Sequence, residues 1–266
     1  MGLFDMFKKK NCDICGGEIG LLGNRKLEDG NCCKKCAAKL SPWFEDRRES
    51  TVEQIKAQLA YRAENAQALK SFQVSEVIGE YEKMYVEKVD GVPTRFFVTS
   101  DSDYMEANPD IISFSDVMSC LMDIQEDEEE LMREDKDGEQ VSYNPPRFAY
   151  HYNFYINMVI RNSPWFDDIR FNLNDDTVTL ETVRAGGVGR GMPVRNPAAN
   201  READRYSRYE QMGKKVCQTV EDARQGVLDR EAAAAAAEVA GPVICPACGA
   251  RTNAGQFCEY CGSRLG

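Results

Sequence analysis

The sequence predicts an α+β chain: a small antiparallel β-barrel or sandwich closed by a long helix, with a cysteine-rich module at each end. Three observations carry this. The eleven cysteines fall mostly into two clusters, at 12–36 and 245–261. From residue 74 the apolar period becomes two, with turn residues between the runs. From residue 200 a helical period runs into "EAAAAAAEVA", and alanine is the best helix former.

The first module has Cys12-x2-Cys15 and, after seventeen residues, Cys33-x2-Cys36. The last has Cys245-x2-Cys248 and, after nine residues, Cys258-x2-Cys261. Paired C-x-x-C knuckles let backbone amides point at sulfur while four thiolates form a tetrahedron, the shell Zn²⁺ accepts most readily. The expected ligands are therefore Cys12, Cys15, Cys33 and Cys36 at one site and Cys245, Cys248, Cys258 and Cys261 at the other. Two structural Zn²⁺ ions are the expected cofactors. In "EDGNCCKKC" the two-residue gap selects Cys33 and leaves Cys32 as a small buried hydrophobe, with Cys32 as a substitute ligand. Iron in a rubredoxin-like site uses the same knuckles, but nothing else suggests electron transfer. A disulfide framework would suit a secreted chain, and nothing here directs secretion. A lone redox C-x-x-C would not come in twos. The segment 241–266 is too short to fold on a hydrophobic core and needs its metal.

After the first module, Ser50 and Glu53 fit a capping box. Val52, Ile55, Leu59, Ala63, Ala66, Leu69 and Phe72 mark one apolar helix face of about six turns. "KMYVEKVDGVPTRFFVTS" reads as a hairpin about Asp90-Gly91. "PDIISFSDVMSCLMDIQ" suggests two more short strands. "RFAYHYNFYINMVI" is the clearest strand, with Phe148, Tyr150, Tyr152, Phe154, Ile156 and Met158 on one face. "FDDIRFNLNDDTVTLETV" supplies two strands about Asn174-Asp175-Asp176, giving about seven strands. The terminal helix is expected to fray near Gly226 and to carry the last module on a semi-rigid stalk.

The opening "MGLFDMFKKKNCDICGGEIGLLGNRKLEDGNCCKKCAAKLSP" resembles the N-terminal cysteine-rich domain of a bacterial family of unknown function. Its members begin with "MGLF" and carry two C-x-x-C pairs around a "GLL…DG" segment. That family is expected to place an apolar residue before the third ligand, which again favours Cys33. Residues 74–225 resemble a pleckstrin-homology-like barrel in strand count and terminal helix, and the tail resembles a zinc ribbon. The resemblance implies architecture and no reaction. The expected organisation is a zinc-binding domain at 1–45, a connecting helix at 46–73, a β-rich domain at 74–225, a helical linker at 226–242 and a ribbon at 243–266.

Charge narrows the function. The formal net charge is −11, with +2 on residues 1–50 and +1 on 241–266, leaving −14 on the body between them. Such a body repels a phosphate backbone, so nucleic acid is disfavoured. No run of about 18 apolar residues suggests a membrane span. "MGLFDMFKKK" reverses the order of a secretory signal, and Met6 sits where myristoylation wants Ser or Thr, so the chain is expected to be cytoplasmic.

Catalytic constellations are scarce. The single histidine, His151, sits mid-strand without a G-x-S-x-G elbow in the sequence. The loop 184–197, with Gly186, Gly187, Gly189, Gly191, Arg184, Arg190 and Arg195, is expected to be a surface loop and is the first place to look for an anion. The stretch 123–140 holds ten acidic residues and reads as a solvated loop or a strand extension. "SPWFEDRR" and "SPWFDDIR" echo each other, as if Trp43 and Trp165 were two buried anchors of one packing device. The expected function is a non-enzymatic adaptor that binds protein partners through the zinc modules and the β domain. The rival is a peripheral scaffold that meets anionic lipid through its basic N-terminus and the Gly/Arg loop. A third reading, an enzyme using acidic residues and a cation, requires a carboxylate-lined pocket.

Overall fold

The computed structural model describes residues 10–184, 189–240, 243–252 and 256–265. It is a mixed α+β chain of several antiparallel sheets with few helices.

In the first module β1 (Lys10–Asn11) pairs with β2 (Glu18–Ile19), and β3 (Asn24–Lys26) pairs with β4 (Asn31–Cys33), which runs into α1 (Lys34–Ala37). Leu27, Cys32 and Ile55 are fully buried in its small core. Next comes α2 (Val52–Lys70). Its capping box is one residue later than expected: Thr51 accepts from the Gln54 amide, and the Gln54 side chain accepts from the Thr51 amide. Ser50 instead donates its hydroxyl to the Asp46 carbonyl.

The buried face of α2 follows the expected apolar stripe only in part: Ile55 and Leu69 are buried and Val52 and Leu59 are half-buried on the first module's core, but polar residues share the face. Its buried residues are Ile55, Gln58, Arg62, Asn65 and Leu69, while Ala63 is exposed. The helix packs on a polar loop, and that loop dictates the polar positions. Arg62 pairs with Asp110 at 2.6 Å and donates to the carbonyls of Lys39 and Asn108. Asn65 donates to Asn108 Oδ1 and to the Pro109 carbonyl, and accepts from the Ile111 amide. Ser41 donates to the other Asp110 oxygen at 2.7 Å.

The middle region holds two sheets. The first is ordered β5 (Glu76–Ile78), β6 (Lys83–Val89), β7 (Val92–Thr99) and β8 (Ile112–Ser113). A four-residue helix, α3 (Tyr104–Ala107), stands between β7 and β8. The β6–β7 turn is the expected one, with Asp90 and Gly91 both at positive φ. In the second sheet β10 (Gln140–Ile160) is central. One edge pairs with β9 (Val117–Glu134) along its length apart from a bulge between Ser142 and Arg147, and the other is shared by β11 (Asp168–Asn172) and β12 (Val178–Val183). A two-residue strand, β13 (Met192–Pro193), extends β12. The acidic stretch is thus a strand extension with its turn at 135–139, and its Glu side chains stand on solvent.

The expected barrel does not close. The sheets meet at one corner, where the Glu82 amide donates to the Asn172 carbonyl at 3.2 Å. Elsewhere α4 (Pro197–Ala240) fills the gap. One core joins Val86, Phe96 and Val98 of the first sheet, Phe154, Ile156 and Met158 of the second, and Tyr209, Val216, Val220 and Ala223 of α4. Two glycines set the approach of α4. A Cβ at Gly213 would stand 2.1 Å from Met122 Sδ, and one at Gly226 would stand 2.3 Å from Val92 Cγ1. The helix therefore does not fray at Gly226; it runs on, and Arg230 still reaches the Val89 carbonyl. Beyond Ala240, β14 (Val243–Ile244) pairs with β15 (Arg251–Thr252). No described helix is long and apolar enough to cross a membrane.

The two Trp motifs share one turn. Ser41 Oγ accepts from the Trp43 amide at 3.1 Å, and Ser163 Oγ accepts from the Trp165 amide at 3.4 Å. The copies touch, with Phe44 edge-on to Trp165 at 6.1 Å. Both indoles are half-buried rather than buried.

Two stability outcomes follow from these contacts. Arg62→Met should cost about 3–5 kcal/mol in denaturant unfolding by stranding Asp110, and Arg62→Met/Asp110→Leu should recover most of it. Gly226→Ala should lower stability by about 1–3 kcal/mol although alanine favours helix, because the stiff Val92 side chain occupies the space; an unchanged or raised midpoint would refute that contact.

Candidate metal centres

Each quartet is assembled by local turns. Cys12 to Cys15 spans the bend between β1 and β2, where the Gly16 amide closes back on the Cys12 carbonyl at 2.7 Å. Cys245 to Gly249 and Cys258 to Gly262 repeat that closure at 2.8 Å each. In all three the glycine after the second cysteine has φ between 71 and 73°, a left-handed conformation that glycine adopts without strain. The fourth knuckle differs. Cys33 is the N-cap of α1, its sulfur accepts from the Cys36 amide at 3.4 Å, and a helix takes the place of the glycine turn. C-x-x-C-G was legible as a turn signature in "CDICGG", "CPACGA" and "CEYCGS".

Cys12, Cys15, Cys33 and Cys36 bring their sulfurs together, all within 4.8 Å of one another, and Cys245, Cys248, Cys258 and Cys261 do the same. Sulfur pairs stand at 3.9 Å (Cys12–Cys36), 3.8 Å (Cys15–Cys33) and 3.7 Å (Cys245–Cys261 and Cys248–Cys258). A disulfide needs about 2.05 Å. Four sulfurs each about 2.3 Å from a central ion stand about 3.8 Å apart at the corners of a tetrahedron. The spacing therefore suits a shared ion, and each group could hold one. Cys32 lies outside the quartet, fully buried in the module core, and burial pushes its thiol up to about 11.

Electrostatics agrees with the spacing. Burial opposes ionisation of Cys12, yet the amides of Cys15, Cys33 and Ile14 outweigh it and hold the thiol down to about 6. Burial and three neighbouring sulfurs push Cys36 up. In the last module the Ser263 hydroxyl and amide hold Cys261 down to about 6. The Ala250 amide favours the Cys248 thiolate, but neighbouring sulfurs and burial carry it up to about 12. Within each quartet one sulfur is held down by nearby donors and another is pushed up by burial and its neighbouring sulfurs. A central cation removes that conflict and releases the protons.

Residues 10–58 match a domain of unknown function, DUF4428. The match takes in the whole first quartet, both hairpins and the start of α2. No curated protein and no solved structure matches the chain.

The other expected positions are not brought to either quartet. His151 lies on an open sheet face, Nδ1 3.0 Å from Thr179 Oγ1 and Nε2 3.2 Å from Glu129 Oε2. This is a cross-strand row of Glu129, His151 and Thr179. In the Gly/Arg loop, Arg184 stacks on Phe148 and pairs with Glu128 at 3.3 Å, and Arg190 pairs with Glu126 at 2.6 Å. Two of its cations thus already face carboxylates. Gly186 and Gly187 lie outside the described residues, as does the basic N-terminus up to Lys9. The alternation of β9 and β10 could have shown that Glu126 and Glu128 lie across from Tyr152 and Tyr150, on the face those arginines cover.

Cys33→Ser should cost one metal equivalent per chain by elemental analysis. Cys32→Ala should keep both and lose only about 1 kcal/mol of stability to a small cavity. Loss of metal in Cys32→Ala with retention in Cys33→Ser would reverse the ligand assignment.

Proposed function

We propose that this chain is a non-enzymatic cytoplasmic adaptor whose two zinc modules and β-rich middle bind protein partners. The middle is read as an open variant of the pleckstrin-homology-like arrangement, supported by its two antiparallel sheets and closing helix. Cys12, Cys15, Cys33 and Cys36 would hold one Zn²⁺, and Cys245, Cys248, Cys258 and Cys261 the other. Zinc is assigned because four thiolates in a tetrahedron suit it and nothing around either quartet suggests electron transfer. Bound there, the ion supplies cross-linking and, with four protein ligands, offers no open position to a substrate.

The observation that carries the reading is what the modules display. Gly20 to Gly23 forms a turn closed at 2.9 Å, and its central Leu21 and Leu22 are 85% and 92% exposed. In the last module Ile244, Phe257 and Tyr260 are 71%, 59% and 72% exposed. Large apolar side chains held in water on a rigid turn suit a partner surface. The hidden-enzyme reading lacks comparable support. Asp46, Glu49 and Asp167 line a cleft of about 450 Å³ beside Trp165. Among the described residues, however, the only groups of three or more potential ligands within 4.8 Å of one another are the two cysteine quartets.

Purified full-length protein should carry two equivalents of zinc and no visible iron–thiolate absorbance; strong colour would replace zinc with iron. Affinity capture should yield a reproducible partner that is lost at least tenfold with Leu21→Ser/Leu22→Ser or with Phe257→Ser/Tyr260→Ser, at unchanged metal content. Equal recovery with parent and both variants would defeat the adaptor reading.

A further inference from the structure

Two cysteines belong to neither quartet nor to the first module. Cys120 lies on β9 and Cys217 on α4, 97 residues apart in the chain, yet their sulfurs stand 3.5 Å from each other. Both side chains are half-buried, so neither is sealed from a small reagent. The pair bridges the sheet and the helix that completes the core, next to the close approach of Gly213 to Met122.

We infer that Cys120 and Cys217 form a redox-active thiol pair, which low-molecular-weight disulfides oxidise reversibly to a cross-link between β9 and α4. Closing from 3.5 Å to the roughly 2.05 Å of a disulfide needs a movement of about 1.5 Å, within reach of side-chain rotation.

The two sulfurs have different roles. The Cys120 thiol donates to the Cys217 sulfur, which also has the Met122 amide beside it. These donors hold Cys217 down to about 7, while that same contact and burial push Cys120 up. Cys217 is also the less deeply buried of the two and the one a reagent reaches more easily, so it is taken as the attacking thiolate and Cys120 as the resolving thiol. The Cys217 thiolate attacks one sulfur of R–S–S–R, forming a Cys217–S–S–R mixed disulfide and expelling RS⁻, which takes up a proton. Cys120 then loses its proton and attacks the Cys217 sulfur, expelling the second RS⁻, which is protonated in turn. Two thiols become one disulfide, the reagent is reduced to two RSH, and two electrons pass to it.

The cross-link would pin α4 to the sheet midway along the helix, between its core residues Val216 and Val220. It is distinct from the quartets, whose thiolates a bound ion would shield.

The test uses the full-length, metal-loaded chain in glutathione buffers with rising proportions of the oxidised form. Samples are quenched with an alkylating agent, digested and mapped by mass spectrometry. A peptide pair joining Cys120 to Cys217, two hydrogens lighter than its reduced form, should rise from absent to more than half of the molecules while metal is retained. Dithiothreitol should reverse it, and Cys120→Ser should stop at a Cys217–glutathione adduct. Metal release while both thiols remain alkylatable, or a persistent Cys217 adduct without the cross-link in the parent chain, would overturn the inference. The parent-chain measurement stands whether or not the variant folds.

Discussion

Arg62 and Asp110 are both removed from water, their side chains 6% and 0% exposed, and two such charges each forfeit several kcal/mol of hydration. Their mutual attraction offsets this only if the remaining donors and acceptors are also met. Here they are. Arg62 reaches two carbonyls besides Asp110, Ser41 fills the second carboxylate oxygen, and Asn65 satisfies the loop backbone at 109–111. Three chain segments must therefore coincide, at 39–41, 62–65 and 108–111. That requirement, with the ring contacts of Phe44 and Tyr61 on Trp165, fixes the first cysteine module against the β-rich middle. The Ser-Pro-Trp turn of Ser41 belongs to the same junction, since Ser41 bonds both Trp43 and Asp110.

The same junction leaves the core to be closed from the far side. Neither sheet has partner strands enough to curl into a barrel, because β5 and β8 are short and end the first sheet, while β9 leaves an edge of the second open. The helix α4 covers the gap, and its two glycines let backbone lie where a side chain would otherwise hold it off. The exposed edge of β9 is lined with Glu and Asp, which discourages pairing with another strand. Part of that negative charge is answered across the sheet by Arg184, Arg190 and Arg170.

How much of this was legible in the sequence depends on how local the cause is. The quartets were, because C-x-x-C spacing is set by the reach of four or five residues. So were the Asp90-Gly91 hairpin and the buried row from Tyr150 to Met158, each dictated by one turn or one strand. The buried face of α2 was so only in part. Its hydrophobic periodicity marks Ile55 and Leu69 correctly but also Ala63, while Arg62 and Asn65 turn to a polar loop 40 to 50 residues away in sequence, and no window along the helix contains that loop. The missing barrel closure has the same origin. Strand count can be read locally, whereas which edges meet is decided by connections of long range. The cap at Thr51 shows a smaller failure of this kind. Ser50 and Thr51 are both good caps, and the choice turned on Ser50 being drawn to the Asp46 carbonyl.

The two metal modules, alike in donor set, differ in what else holds them. The first buries Leu27, Cys32, Leu40 and Ile55 beside its ligands and leans on α2 and the Arg62 network. In the last, the buried described residues are Cys245, Cys258 and Thr252, and its large apolar side chains face solvent. Apolar burial at about 25 cal/mol per Å² cannot order a segment with so little interior. The free energy that shapes the described part of the last module would have to come mainly from an ion held by its four cysteines. An ion held by four thiolates would thus be a supplement in one module and the main source of order in the other, although the cysteine spacing alone makes the two look equivalent.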